Sequence, residues 1–175
     1  MTKVILASQS PRRKQLLEWA AIDFDIIVRS TDESYPAGLS PAEVAIYIAE
    51  QKNTAVRNSD QFKLYAPATP VITADTIVVC NDLIIGKPED RNDAIHILQT
   101  LSGKKHQVIT GVVITSGDKT ISFADATEVW SHPLSVAQIA FYVDNYTPYD
   151  KAGAYAIQEW LGVVGSEKLN GDFYN

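Results

Sequence analysis

The chain has 175 residues, 46% hydrophobic and 21% charged, and its 21 acidic residues against 15 basic ones give a net charge of −6. That length predicts one domain, or two small lobes on one chain, with about 8,400 Å² exposed when folded against roughly 28,000 Å² unfolded; about 70% burial needs no disulfide or structural metal. A pI near 5.0 argues against general binding to nucleic acid or anionic membrane, and one cysteine, Cys80, inside the apolar run Ile77-Val78-Val79-Cys80 predicts a reduced, intracellular protein.

No stretch approaches the ~18 to 20 apolar residues of a spanning helix. The start, Met1-Thr2-Lys3 followed by Val4-Ile5-Leu6-Ala7, is too short for a signal peptide and reads as a strand from Lys3 to Ala7. Ser8-Gln9-Ser10-Pro11 stops it and opens a helix, with Ser10 at the N-cap and Pro11 at the first helical position. At 100° per residue Leu16, Leu17 and Ala20 share a face, and Arg13 falls on it one turn earlier. A second strand spans Phe24 to Val28. Ser40-Pro41-Ala42-Glu43 reads as a capping box opening a second helix, whose apolar face carries Val44, Ala45, Ile48 and Ala49. Lys52 lies on that face and Glu50 nearly opposite.

Residues 58 to 70 read as a polar connection. Val71 to Val79 is a strand with Thr73, Asp75 and Thr76 embedded in it, and Leu83 to Ile85 is its candidate partner. After Gly86-Lys87-Pro88 a helix is predicted over Glu89 to Leu101. Two long strands follow from His106 to Trp130, joined at Gly117-Asp118, then a helix over Leu134 to Tyr142 with Ser135 as N-cap. Pro148 to Asn175 has no assignable period. The order β-α-β-α-β-β-α-β-β-α-β predicts an α/β fold with a mixed sheet, and no firm domain boundary emerges within residues 1–175.

The strand–turn–helix around residues 3 to 20 is a generic anion site, because the first-turn N–H groups and Arg12 and Arg13 all favour phosphate. Lys52 and Lys87 are further candidate cations. Asp75 is the most informative position: a carboxylate inside an apolar strand costs several kcal/mol to bury unless paired or metal-bound. It reads as general base or metal ligand, with Asp32, Glu33 and Glu50 as weaker acidic candidates. Phosphate-binding loops of the G-x-x-x-x-G-K-[ST] and G-x-G-x-x-G types, H-E-x-x-H, C-x-x-C and G-x-S-x-G are all absent. His96, His106 and His132 stand in no ligand-like pattern.

Leu6-Ala7-Ser8-Gln9-Ser10-Pro11-Arg12-Arg13, Asp32-Glu33, Ala74-Asp75-Thr76 and Gly86-Lys87-Pro88 together resemble the Maf proteins. So do Leu101-Ser102-Gly103, His106 to Val112 and Asp150 to Gln158, in family order along nearly the whole chain. The resemblance implies a fold similar to the inosine triphosphate pyrophosphatases, with a twisted mixed sheet in two lobes around a central cleft. It also implies hydrolysis of a nucleoside triphosphate to the monophosphate and pyrophosphate with Mg²⁺ or Mn²⁺. Asp75 falls at the family's proton acceptor, and Lys52, Lys87 and Glu33 join it as catalytic candidates. Ser8 and Arg13 are candidate substrate contacts.

Arg12, Thr76 and Gln158 fall at the positions tied to base preference and look like the branch that prefers dTTP and UTP. The branch acting on 7-methyl-GTP typically has another residue, often tryptophan, at Arg12. Glu50 and Asp75 are the metal-ligand candidates. Gln158, with one acceptor and two donors, suits the O4/N3–H edge of thymine or uracil. Asn53 stands where the family usually has alanine, Ala156 where glycine is common, and Thr147 where an acidic residue often precedes proline. Relatives continue past the position of Asn175 with a short apolar segment. A small-molecule nucleotide as partner, a homodimer and a cytoplasmic location complete the expectation. Rival readings are a non-enzymatic regulator of septum formation and a purine-directed pyrophosphatase of the same fold.

Overall fold

The computed structural model describes residues 3–175; Met1 and Thr2, part of the reading against a signal peptide, lie outside the described residues. The apolar runs and periodic segments form elements in the predicted order: β1 (Val4–Leu6), α1 (Pro11–Trp19), β2 (Phe24–Ile26), α2 (Pro41–Arg57), β3 (Val71–Cys80), β4 (Leu83–Ile85), α3 (Arg91–Leu101), β5 (Lys105–Ser116), β6 (Lys119–Ser131) and α4 (Val136–Tyr146). The unassigned C-terminal region holds α5 (Trp160–Gly165) and β7 (Ser166–Asn170) after two short 3₁₀ turns. One seven-stranded sheet runs β2-β1-β3-β5-β6-β7, with β4 also paired to β3. Because β1 pairs in parallel with β2 and β3 while β4 and β7 pair antiparallel, the sheet is mixed, as predicted. Among the described residues no helix is long and apolar enough to cross a membrane.

Several boundaries shift for local reasons. The Asp90 side chain accepts from Asp93 N–H at 2.9 Å, so it caps α3 and the helix starts at Arg91, not Glu89. Ser135 is the N-cap of α4 and completes a box with Gln138, which moves the start from Leu134 to Val136. That helix runs a turn past Tyr142, until Thr147 turns left-handed at φ 43°. Ser10 occupies the N-cap of α1 without a side-chain cap bond, and Pro11 is its first residue. The apolar face drawn for α1 is weaker than expected: no residue of the helix is fully buried, and Ala20 lies beyond its end.

The chain forms two compact units, one up to Asp75 plus Thr110–Ala124, the other Thr76–Ile109 plus Asp125–Asn175. In the first unit, Ile5, Ala7, Ile27, Val56, Phe62 and Val71 make the core. The Ser40–Glu43 capping box forms as read, and α2 buries Val44, Ala45, Ile48 and Ala49 as read. This helix crosses β5 very closely at Gly111, where a Cβ would stand 2.4 Å from the Ala45 carbonyl carbon and from Ile46 N. One turn after Ala49, the buried Asn53 ties α2 to the sheet. Its Nδ2 donates to Val71 O and Thr73 Oγ1 (both 3.3 Å), and its Oδ1 accepts from Thr115 Oγ1 at 2.9 Å. A buried amide satisfied on both sides fixes helix rotation as well as position.

In the second unit, Val78, Cys80, Leu98, Ile139, Tyr142 and Val143 belong to one core cluster. The free Cys80 thiol is buried there, 3.8 Å from Lys105 O. His106, 2% exposed, has Nε2 2.6 Å from the Tyr155 hydroxyl. Burial pulls its pKa from 6.5 down to about 4 and pushes the Tyr155 phenol up. Between those two pH values the unfolded chain binds a proton that the folded chain refuses, so stability falls as pH drops through this window. The loss attributable to His106 reaches about 3 kcal/mol near pH 4. Urea denaturation at pH 7 and pH 4.5 should show His106→Gln losing less stability on acidification than the wild type.

Candidate active site

The turn after β1 is built by its own side chains. Ser8 Oγ accepts from Ser10 N–H at 3.2 Å, and Arg13, one turn into α1, donates from Nη1 to the same oxygen at 3.2 Å. The same Nη1 reaches Ala74 O on β3 at 2.8 Å. This guanidinium is brought inward as read, and its partner is a backbone carbonyl next to Asp75. Burial lowers the Arg13 pKa from its ordinary value, Asp75 and Glu33 oppose that, and Arg12 adds to the lowering. Ala74 O shows no sequence signal, because any residue supplies a carbonyl.

Lys52 completes the group. Its Nζ lies 2.6 Å from Asp75 Oδ1 and 2.8 Å from Glu33 Oε1. The lysine and aspartate side chains are only 18% and 9% exposed, against 49% for Glu33. A carboxylate in an apolar strand is tolerable here because an ammonium from α2 meets it. Lys52 reaches that point because Asn53, its neighbour, locks the helix while Thr73 brings the strand face carrying Asp75 under it. The formal charges of Arg13, Lys52, Glu33 and Asp75 cancel. The first unit therefore gathers Ser8, Arg13, Glu33, Lys52 and Asp75 into one site, and Arg12 is half-buried on α1 beside Arg13.

Glu50 stands elsewhere. It lines an open hollow of about 760 Å³ together with Thr54, Arg57 and Tyr65, and none of Glu33, Lys52 or Asp75 lines it. The two-residue step from Glu50 to Lys52 turns a helix by about 200°, so the two side chains leave on opposite faces. Asp32 is exposed and accepts from Ser34 N–H and Oγ, bonds that hold its carboxyl below the usual range. Among the described residues no group of three or more His, Cys, Asp or Glu forms a metal cage.

The remaining candidates belong to the second unit. Thr76 is half-buried on β3, and Lys87 is exposed after β4. Gln158 is exposed and donates from Nε2 to Phe173 O at 3.0 Å. Around it the structure adds an unforeseen network: the fully buried Tyr142 donates its hydroxyl proton to Glu159 Oε2 and accepts from Ala156 N–H at 3.2 Å. Lys151, itself buried, lies 2.9 Å from Asp150 Oδ1 and 3.3 Å from Glu159 Oε1. The Asp150 to Gln158 motif, with Glu159 directly after it, holds these residues, but nothing in their spacing pairs them with Tyr142.

A family model described as "Maf-like protein" matches residues 3–175. A dTTP/UTP pyrophosphatase of Cytophaga hutchinsonii is 48% identical over 174 residues, covering 99% of this chain and 77% of that protein. A dTTP/UTP pyrophosphatase of Bacteroides thetaiotaomicron is 46% identical over 176 residues, with 99% and 88% covered. One from Porphyromonas gingivalis is 44% identical over 174 residues, with 99% and 86% covered.

Proposed function

This chain belongs to the Maf-like protein family, and from that premise we propose that it hydrolyses dTTP and UTP to the monophosphate and pyrophosphate. Relatives at 44–48% identity that carry the name dTTP/UTP pyrophosphatase support the substrate. The geometric observation that carries the chemistry is the Lys52 ammonium held between Asp75 and Glu33.

Asp75 is the base that takes the proton from the attacking water. In the free site Lys52 Nζ occupies Asp75 Oδ1 at 2.6 Å. A triphosphate draws the ammonium towards its own oxygens, which frees Asp75 Oδ1 to accept the proton of a water. Arg13, anchored on Ala74 O and Ser8 Oγ, adds a cation whose direction is fixed before the substrate arrives. By the family resemblance Lys87 is a further phosphate-binding cation, and Arg12, Thr76 and Gln158 select the base. Glu33 and Asp75 offer hard carboxylate oxygens of the kind that, with substrate phosphates, hold Mg²⁺ or Mn²⁺. Such an ion neutralises charge on the phosphates when bound. Glu50 has no part in it.

Incubation of the purified protein and Mg²⁺ or Mn²⁺ with dTTP, UTP, ITP and 7-methyl-GTP tests the reading. Pyrophosphate should appear chiefly from dTTP and UTP. Preference for ITP would move the assignment to a purine pyrophosphatase, and no release from any of the four would favour a non-enzymatic role. The family resemblance also implies a cytoplasmic homodimer, and size-exclusion chromatography with light scattering tests the second point.

A further inference from the structure

We propose that the Phe173 carbonyl sets the orientation of the Gln158 amide, making the turn at residues 171–175 a positioning element for the choice of uracil or thymine over cytosine. The inference rests on the reading of Gln158 as the residue that meets the base edge.

A backbone carbonyl can only accept, so the group 3.0 Å from Phe173 O must be the Gln158 amide nitrogen. Turning the amide over would replace that bond with two oxygens facing each other. In that orientation the bond to Phe173 leaves one N–H as a donor and Oε1 as an acceptor on fixed ends of the amide. Uracil and thymine present O4 and N3–H as an acceptor and a donor. Cytosine presents an amine and an unprotonated N3 at the same two places, which calls for the flipped amide. An unrestrained glutamine reads either base by rotating about its last bond. One restrained from behind does not.

Both ends of this restraint are anchored within the second unit. On the Phe173 side, Asp172 Oδ1 accepts from Tyr174 N–H at 2.6 Å, so the turn brackets the Phe173 peptide. Thr127 Oγ1 on β6 donates to Asp172 O at 2.9 Å. Asn175 Nδ2 donates to Val108 O at 3.1 Å and to Thr127 Oγ1 at 3.0 Å. Gly171 enters the turn at φ +133°, with Thr127 Oγ1 only 2.7 Å from where a Cβ would stand, so only glycine allows this approach. On the Gln158 side, the Tyr142 hydroxyl accepts from Ala156 N–H, two residues before it, and donates to the Glu159 carboxylate, one residue after it. The amide is thus held at one end by the Phe173 carbonyl and carried at the other by a segment tied to Tyr142.

The test measures kcat/KM for dTTP and dCTP in wild type, Asp172→Ala, Thr127→Val and Gln158→Ala, with thermal melting of each. Asp172→Ala and Thr127→Val should each lower the dTTP-to-dCTP ratio about 10-fold, the size expected when one hydrogen bond stops biasing a choice. The change should fall on KM, not kcat. Neither should lower the ratio further in a Gln158→Ala background, a non-additivity that general loosening does not produce. If Gln158→Ala collapses the ratio while folded Asp172→Ala or Thr127→Val keeps the wild-type value, the Phe173 proposal is overturned and the base-reading role of Gln158 stands. If Gln158→Ala itself keeps the wild-type ratio, the base-reading role falls, and the proposal with it.

Discussion

Asp75→Asn should lower pyrophosphate release from dTTP by about 10³-fold or more, the loss expected when a positioned general base is removed. Asparagine has the same shape but cannot take a proton from water. It also leaves Glu33, 2.8 Å away, as the carboxylate paired with Lys52, while the asparagine oxygen can still accept from the ammonium. Because Asp75 is buried and the replacement isosteric, the fold should survive, with a stability change within about 2 kcal/mol. Initial rates of pyrophosphate release and a thermal melt separate the two effects. Activity within tenfold of wild type in a folded variant would sink the assignment of Asp75 as base.

Gly111→Ala should be the most damaging single methyl in the first unit. The added carbon would lie 2.4 Å from the Ala45 carbonyl carbon and Ile46 N and 2.6 Å from Ala45 O, all helix backbone, which cannot swing aside. Either α2 lifts or β5 sinks. Overpacking of this kind costs about 3 kcal/mol or more, roughly a 10 °C fall in Tm for a chain of this size. Activity should fall beyond what the lost stability explains, because the helix that moves carries Lys52. Gly117→Ala is the informative control. Gly117 has φ +57° with nothing within 4 Å of its Cβ position, so only backbone strain of about 1 kcal/mol applies. A Gly111→Ala protein that melts no lower than Gly117→Ala would show that the α2–β5 crossing is softer than its distances imply.

Those two residues also mark what was legible in the sequence. Asp75 stood out because a carboxylate in a run of valines and isoleucines requires a partner, and Lys52 because its helical phase put a charge on an apolar face. The capping boxes at Ser40 and Ser135 were readable since their chemistry spans only four residues. Gly111 carried no comparable signal, for the helix it touches lies about 65 residues earlier and its own φ is ordinary. Arg13 was read as pointing inward, yet the reason is the Ala74 carbonyl, which side-chain identity cannot reveal. Asn53 looked like a departure from family habit and proved to be bonded to both β3 and β5.

The C-terminal region resisted reading because its turns depend on left-handed residues such as Gly153 and Ala154, at φ 71° and 58°. Such residues break any period a sequence pattern could show. Glu50 is set apart from Lys52 and Asp75 for a different reason: its acidity recommends it, while its helical phase turns it to the other face of α2, where it lines a separate hollow.

Cys80 gives the second unit a chemical clock. It is the chain's only cysteine, and its sulfur is sealed among Val78, Leu98 and their neighbours, where no thiol reagent reaches it. Modification therefore requires that packing to open, and no other sulfhydryl contributes background. When reclosing outpaces reaction, the labelling rate is the free-cysteine rate multiplied by the fraction of molecules open at that site. One absorbance trace then yields the free energy of the opening that exposes Cys80. Repeated with nucleotide present, it tells whether bound ligand makes that opening rarer.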